Sequence, residues 1–195
     1  PWYIGHTIPV GIGQSYWTTT PVQLNTSVNT LINAGERYIP QIIRGYMKTD
    51  SSVDLIPLKS LRPIEIKNRD NLDVVLNAMR DVVSGEEGGA RHAFADTPYD
   101  SAGKTGTAQL FTVGQNEKYD ASKIDERLRD NAMYVGFAPF DDPEISVTVV
   151  LENVGGGSKN AAPVARQIMD FYFKDRVFET ANTAQSNNTN KLGAN

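Results

Sequence analysis

The 195 residues carry a formal net charge of −4, with 39% hydrophobic and 22% charged residues and no cysteine. That is length enough for one domain with a sizeable core. The balance excludes the basic patches of nucleic-acid binders, disulfides and thiol chemistry, and no apolar run reaches the roughly 18 residues of a membrane span. His6 and His92 are the only imidazoles, far apart and without metal-ligand spacing, so neither a metal nor another cofactor is implied. The chain opens on Pro1-Trp2-Tyr3 with no initiator Met and no basic-then-apolar leader, which points to a piece of a longer protein.

Thr20-Pro21 starts a helix, with Thr as N-cap and Pro at the first position. Leu24, Val28, Leu31 and Ile32 follow at helical spacing, and Gly35 stops it. Residues 38–66 read as short extended pieces interrupted by Pro40, Pro57 and Pro63. Asp70 caps a second helix whose apolar face is Leu72, Val75, Leu76, Met79, Val82 and Val83, with Gly85 ending it. Residues 85–100, rich in Gly and closed by Pro98, form an irregular approach loop.

Beyond that loop the period changes. Residues 104–113 predict a strand and Ala132–Ala138 another. Pro139-Phe-Asp-Asp-Pro143 is a turn, and Ile145, Val147, Val149 and Leu151 alternate as in a half-buried strand, so the last two strands form an antiparallel hairpin. Gly155-Gly-Gly157 breaks the chain before a helix over Pro163–Phe173, with Val164, Ile168, Phe171 and Tyr172 on one face. Residues 114–130 are a long charged connection with a helical turn near Ile124–Leu128. The expected organisation is an α+β domain over 1–174, an antiparallel β-sheet flanked by helices, followed by a disordered tail over 175–195 that has little to bury.

The stretch most able to carry chemistry is SAGKTGTAQLF, residues 101–111. On a strand, Lys104 supplies a compact cation, Thr105 and Thr107 place hydroxyls on one face, and Gly106 between them removes a side chain. An extended anionic ligand adding itself to a sheet edge needs such a surface. A Gly-rich bulge with incidental threonines reads equally well from chemistry alone. Ser101 and Lys104 also match the S-x-x-K pattern of acyl-enzyme nucleophiles, but residues three apart on a strand face opposite ways. Ser27-Val-Asn29 and Ser186-Asn-Asn188 match S-x-N, the first inside a helix and the second in the tail, and are set aside with Ser101.

Lys104-Thr-Gly-Thr-Ala-Gln109 resembles the K-T-G-T element of penicillin-binding proteins and serine β-lactamases. Ile8-Pro-Val-Gly-Ile-Gly-Gln14 with Thr20-Pro-Val-Gln-Leu24, Gly89-Ala-Arg91, Asn131–Pro139 and the closing helix resemble, in order, segments of class B penicillin-binding proteins, the peptidoglycan D,D-transpeptidases. Pro1-Trp2-Tyr3, Glu126–Asp130 and Leu151-Glu-Asn153 are most similar to elongation-type members from Gram-negative rods. The resemblance covers about residues 1–174 and implies the transpeptidase fold, incomplete in this chain. It implies acyl transfer through a serine, acylation by β-lactams, and a role in cell-wall elongation and rod shape.

Carried onto this sequence, the resemblance makes Lys104 and Thr107 catalytic, the latter lending its backbone N–H to an oxyanion hole. Thr105 and Thr107 hold the terminal carboxylate, and Gly106, Ala108 and Gln109 line the bound peptide. The implied ligands are a D-Ala-D-Ala stem peptide and β-lactams. Implied partners are a RodA-type glycosyltransferase and other elongation-complex proteins, at the periplasmic face of the inner membrane behind an N-terminal transmembrane helix absent from this chain. The family's nucleophilic S-x-x-K and its S-x-N motif precede the Ile8–Gln14 segment, so both are expected outside residues 1–195. Two alternatives stay open: a serine β-lactamase or β-lactam sensor of the same fold, and a non-catalytic peptide-binding scaffold.

Overall fold

The computed structural model describes residues 1–110, 120 and 124–175, so the expected tail beyond 175 and most of the 114–130 connection lie outside the described residues. The chain divides into two compact units, Pro1–Asn77 and Ala78–Asn195. No helix among the described residues is long and apolar enough to cross a membrane.

In the first unit, helix α1 (Ile4–Gly11) is an element the sequence pattern did not indicate. Beside it, Trp2, Tyr3 and Tyr16 set their rings around His6 at centroid distances of 5.5, 5.3 and 5.1 Å. Helix α2 (Pro21–Ile32) starts as expected. Thr20 Oγ1 accepts the Gln23 N–H at 3.2 Å, and Gln23 Oε1 accepts the Thr20 N–H at 2.9 Å, a reciprocal capping box. The four extended pieces are strands β1 (Arg37–Tyr38), β2 (Gly45–Met47), β3 (Val53–Leu55) and β4 (Ser60–Leu61), paired antiparallel as β1–β4 and β2–β3.

Helix α3 (Arg69–Ser84) spans the division between the units and begins one residue before Asp70. Asn68 Oδ1 accepts the Asp70 N–H at 2.9 Å, so Asn68 does the capping and Asp70 sits in the first turn, where its charge suits the positive end of the helix. Val75, expected on the apolar face, is exposed, whereas Leu72 and Val83 are buried.

The second unit contains the sheet. Strands β5 (Ala102–Ala108), β6 (Asn131–Ala138) and β7 (Ile145–Leu151) run antiparallel in the order β5-β6-β7, with β6–β7 the expected hairpin. Strand β5 begins two residues before Lys104 and ends at Ala108. Helix α4 (Gly157–Phe173) packs on one face of this sheet. It begins well before Pro163, which lies inside it. Its buried residues are Gly157, Ala161, Ala162, Ala165, Met169 and Phe173, while the expected face residues Ile168, Phe171 and Tyr172 are largely exposed. Small side chains let the helix axis approach the strands closely, so the alanines, and not the larger apolar groups, face the sheet. Met169 and Phe173 then reach the core with Phe94, Tyr134, Val147 and Val149, each large buried side chain stabilising the unit by about 1.5–3 kcal/mol.

Two features of this core fix the approach loop and strand β5. Gly103 and Gly136 face each other across β5 and β6, and a Cβ on either would fall within 2.2 or 2.7 Å of the Tyr134 hydroxyl. The cross-strand glycines therefore form the slot in which the Tyr134 phenol lies, with Phe94 stacked on its ring at 5.5 Å. The hydroxyl has no hydrogen-bond partner among the described residues, and burial raises its pKa above the usual phenol value. Replacing Tyr134 with Phe should keep the packing and relieve the orphan hydroxyl, leaving stability unchanged or raised by about 1 kcal/mol in denaturant unfolding.

The second feature is a polar clamp. Tyr99 Oη donates to Asp170 Oδ1 at 2.7 Å, and Arg166 Nε to Asp170 Oδ2 at 3.1 Å. Arg166 Nη1 also donates to the carbonyls of Ala93 and Ala95 at 3.2 and 2.8 Å, tying the approach loop to α4. Removing this guanidinium in Arg166→Ala should lower unfolding free energy by about 1–2 kcal/mol, and Lys cannot reproduce the forked geometry. Burial first, and then the Asp170 carboxylate, raise the Tyr99 pKa as well. Phenols raised in the folded state stabilise it below their unfolded pKa, so stability should fall as pH climbs past about 10. Tyr134→Phe should flatten that decline in a pH series of urea melts.

Candidate active-site strand

Strand β5 is the edge of its sheet: β6 pairs along one side, from Ala102–Phe137 to Ala108–Asn131, and no strand among the described residues pairs with the other. Its alternation separates Lys104 and Gly106 from Gly103, Thr105 and Thr107. Lys104 is exposed and its Nζ donates to the Thr105 carbonyl at 2.6 Å. Thr105 is half-buried and Thr107 exposed, so both hydroxyls lie within reach of a ligand laid along the edge. Ala108 is half-buried at the end of the strand, and Gln109, just beyond it, is exposed.

The threonine face turns toward the start of α4. The Gly157 N–H donates to Thr107 Oγ1 at 3.4 Å. A Cβ on Gly157 would meet the carbonyls of Gly106 and Met133 at 2.2 and 2.4 Å, so only glycine allows this helix terminus to rest on the two strands. Asn153, held at a φ of 61°, anchors the turn that leads there. Its N–H donates to Asn131 Oδ1 at 2.9 Å and its Nδ2 to the Arg127 carbonyl at 2.8 Å. In this way the described end of the charged connection, with a 3-10 turn at Glu126–Leu128, is pinned beside the α4 terminus. The sequence pattern singled out neither Asn153 nor Gly157 for this task; the Gly155–Gly157 run was the available signal.

Two of the serines that mimic nucleophile motifs lie among the described residues. Ser101 is 1% exposed and precedes β5, and its Oγ has no partner among the described residues. Ser27 lies in α2 with its Oγ donating to the Leu24 carbonyl at 2.7 Å. Ser186 lies outside the described residues. A cavity of about 330 Å³ opens at the far end of the approach loop, lined by Val83, Phe94, Thr97, Tyr99 and Ser101, and not along the Lys104–Thr107 edge.

Lys-Thr-Gly-Thr thus lies on the open edge of an antiparallel sheet backed by an alanine-faced helix. Residues 1–170 match the penicillin binding protein transpeptidase domain, and the chain belongs to that family. Several of the relatives it resembles are peptidoglycan D,D-transpeptidases named MrdA. It is 42% identical to the peptidoglycan D,D-transpeptidase MrdA of Haemophilus influenzae over 91% of this chain and 27% of that protein. It is 38% identical to MrdA of Escherichia coli K12, over 87% of this chain and 26% of that protein. The crystal structure of Pseudomonas aeruginosa PBP2 in complex with WCK 5153 superposes with a TM-score of 0.70 at 35% identity, over 93% of this chain and 37% of that one. Helicobacter pylori PBP2, solved with MreC, shares the fold at 23% identity and a TM-score of 0.66, over 90% of this chain and 29% of that one. The chain thus spans about a quarter of the length of the curated relatives it matches.

Proposed function

We propose that this chain is the substrate-holding part of a serine D,D-transpeptidase that cross-links peptidoglycan stem peptides during cell-wall elongation. The observation that carries the reading is the open edge of β5, with Lys104, Thr105 and Thr107 presented around Gly106 and backed by the α4 terminus. A stem peptide ending in D-Ala-D-Ala adds along that edge by backbone pairing, with Gly106, Ala108 and Gln109 against it. Thr105 and Thr107 receive its terminal carboxylate, and Lys104 supplies positive charge close to the reacting groups. A serine outside residues 1–195 attacks the penultimate D-Ala carbonyl. The carbonyl oxygen takes up negative charge against the Thr107 backbone N–H, and one such donor lowers the barrier by about 2.7–4 kcal/mol. Collapse expels the terminal D-Ala and leaves an acyl-enzyme, which an amine of a second stem peptide resolves. A β-lactam, carrying a carboxylate beside a strained amide, enters the same path and stops at the acyl-enzyme.

The reading places the parent protein at the periplasmic face of the inner membrane with a RodA-type glycosyltransferase. One structural neighbour was solved in complex with MreC, and a protein partner of that kind fits the reading. Residues 1–195 alone should not react with fluorescent penicillin, whereas the complete catalytic domain should be labelled. Labelling of the isolated piece would overturn the assignment of the nucleophile to another part of the protein. A β-lactamase reading would require rapid loss of the label, which a chase after penicillin removal measures directly.

A further inference from the structure

Two hydroxyls from separate elements converge beside the threonine face of β5. Gly89, on the approach loop, has no side chain, and a Cβ built on it would meet Thr105 Oγ1 at 3.3 Å and Ser158 Oγ at 3.4 Å, with nothing else within 4 Å. Ser158 is exposed and sits in the first turn of α4, one residue after the Gly157 N–H that meets Thr107. Its hydroxyl and that of Thr105 therefore converge on Gly89, where a residue without a side chain packs without pushing either of them aside.

We propose that Ser158 is a specificity-determining residue for the carboxylate end of the substrate, its hydroxyl donating to that carboxylate together with that of Thr105. The inference rests on the reading of β5 as the carboxylate-holding strand and extends it from the strand to the helix. Two hydroxyls from different elements grip the two oxygens of a carboxylate, where a single strand presents donors from one side only. A hydroxyl can donate to an anion without the desolvation cost of a second buried cation, and the α4 N-terminus adds a favourable partial charge at the same place. Ligands with a neutral group there lose both contributions.

The test uses the full-length protein and two probes, a penicillin with a free carboxylate and its neutral methyl ester. In Ser158→Ala, acylation by the acid at sub-saturating concentration should fall about tenfold, the size of one hydrogen bond to a charged group. The saturating rate should change little, acylation by the ester should match wild type, and Ser158→Thr should recover the acid's rate. Gly89→Ala, whose Cβ would crowd both hydroxyls, should reduce discrimination between acid and ester in the same direction. An equal loss for acid and ester in Ser158→Ala, or none for the acid, would overturn the proposal while leaving the strand assignment intact. Absence of any preference for the acid in wild-type protein would instead remove the carboxylate reading of β5, and this inference with it.

Discussion

Replacing Lys104 with Ala in the complete catalytic domain should slow acylation by a penicillin by roughly two to three orders of magnitude, the scale of losing one preorganised electrostatic contact. Lys104 is exposed on the edge strand and its Nζ reaches the Thr105 carbonyl at 2.6 Å, so truncation leaves no cavity and should cost little stability. Stopped-flow acylation and a urea melt on the same preparation separate the two effects. Slow acylation with an unchanged melt fits a chemical role. Near-normal acylation would remove Lys104 from the mechanism.

The second large effect belongs to a residue with no side chain. Gly157→Ala places a Cβ against the carbonyls of Gly106 and Met133, neither of which can move without shifting a strand. Overpacking of this kind costs about 1–3 kcal/mol, and here the strain falls on Gly106, between the two threonines. Acylation should therefore drop together with stability, and the Gly157–Thr107 hydrogen bond should be lost with it. Ala at the neighbouring Gly156, where an added Cβ meets nothing within 4 Å, is the matched control and should leave both properties near wild type. If Gly157→Ala behaves like Gly156→Ala, the close packing of α4 on β5 does not hold in solution.

Much of this arrangement could be read from local pattern. The Thr20–Gln23 capping box, the β6–β7 hairpin and the alternation of Lys104, Thr105 and Thr107 are encoded by residues a few positions apart, where periodicity and capping chemistry act directly. The resemblance also placed these segments in a family that the comparison then showed. What escaped depends on distant residues meeting. Pro163 looked like a helix start, yet α4 begins at Gly157 because the glycine run lets its terminus rest on β5 and β6. The buried face of α4 was misassigned because Ala161, Ala162 and Ala165 carry a weaker hydrophobic signal than Ile168 and Phe171. Tyr99 and Asp170 are 71 positions apart, and no spacing rule joins them. The Tyr134 slot did leave a trace, Gly103 in one strand and Gly136 in the next, which becomes meaningful once β5 and β6 are placed in register.

We propose that residues 104–107 hold a ligand for a serine outside residues 1–195. Mapping the site of the covalent adduct tests it most directly: the full-length protein is treated with penicillin, digested and analysed by peptide mass spectrometry. One acylated serine is expected, outside residues 1–195, with adduct formation suppressed by Lys104→Ala. An adduct on Ser101 or on any other residue of this chain, or labelling indifferent to Lys104, would contradict it.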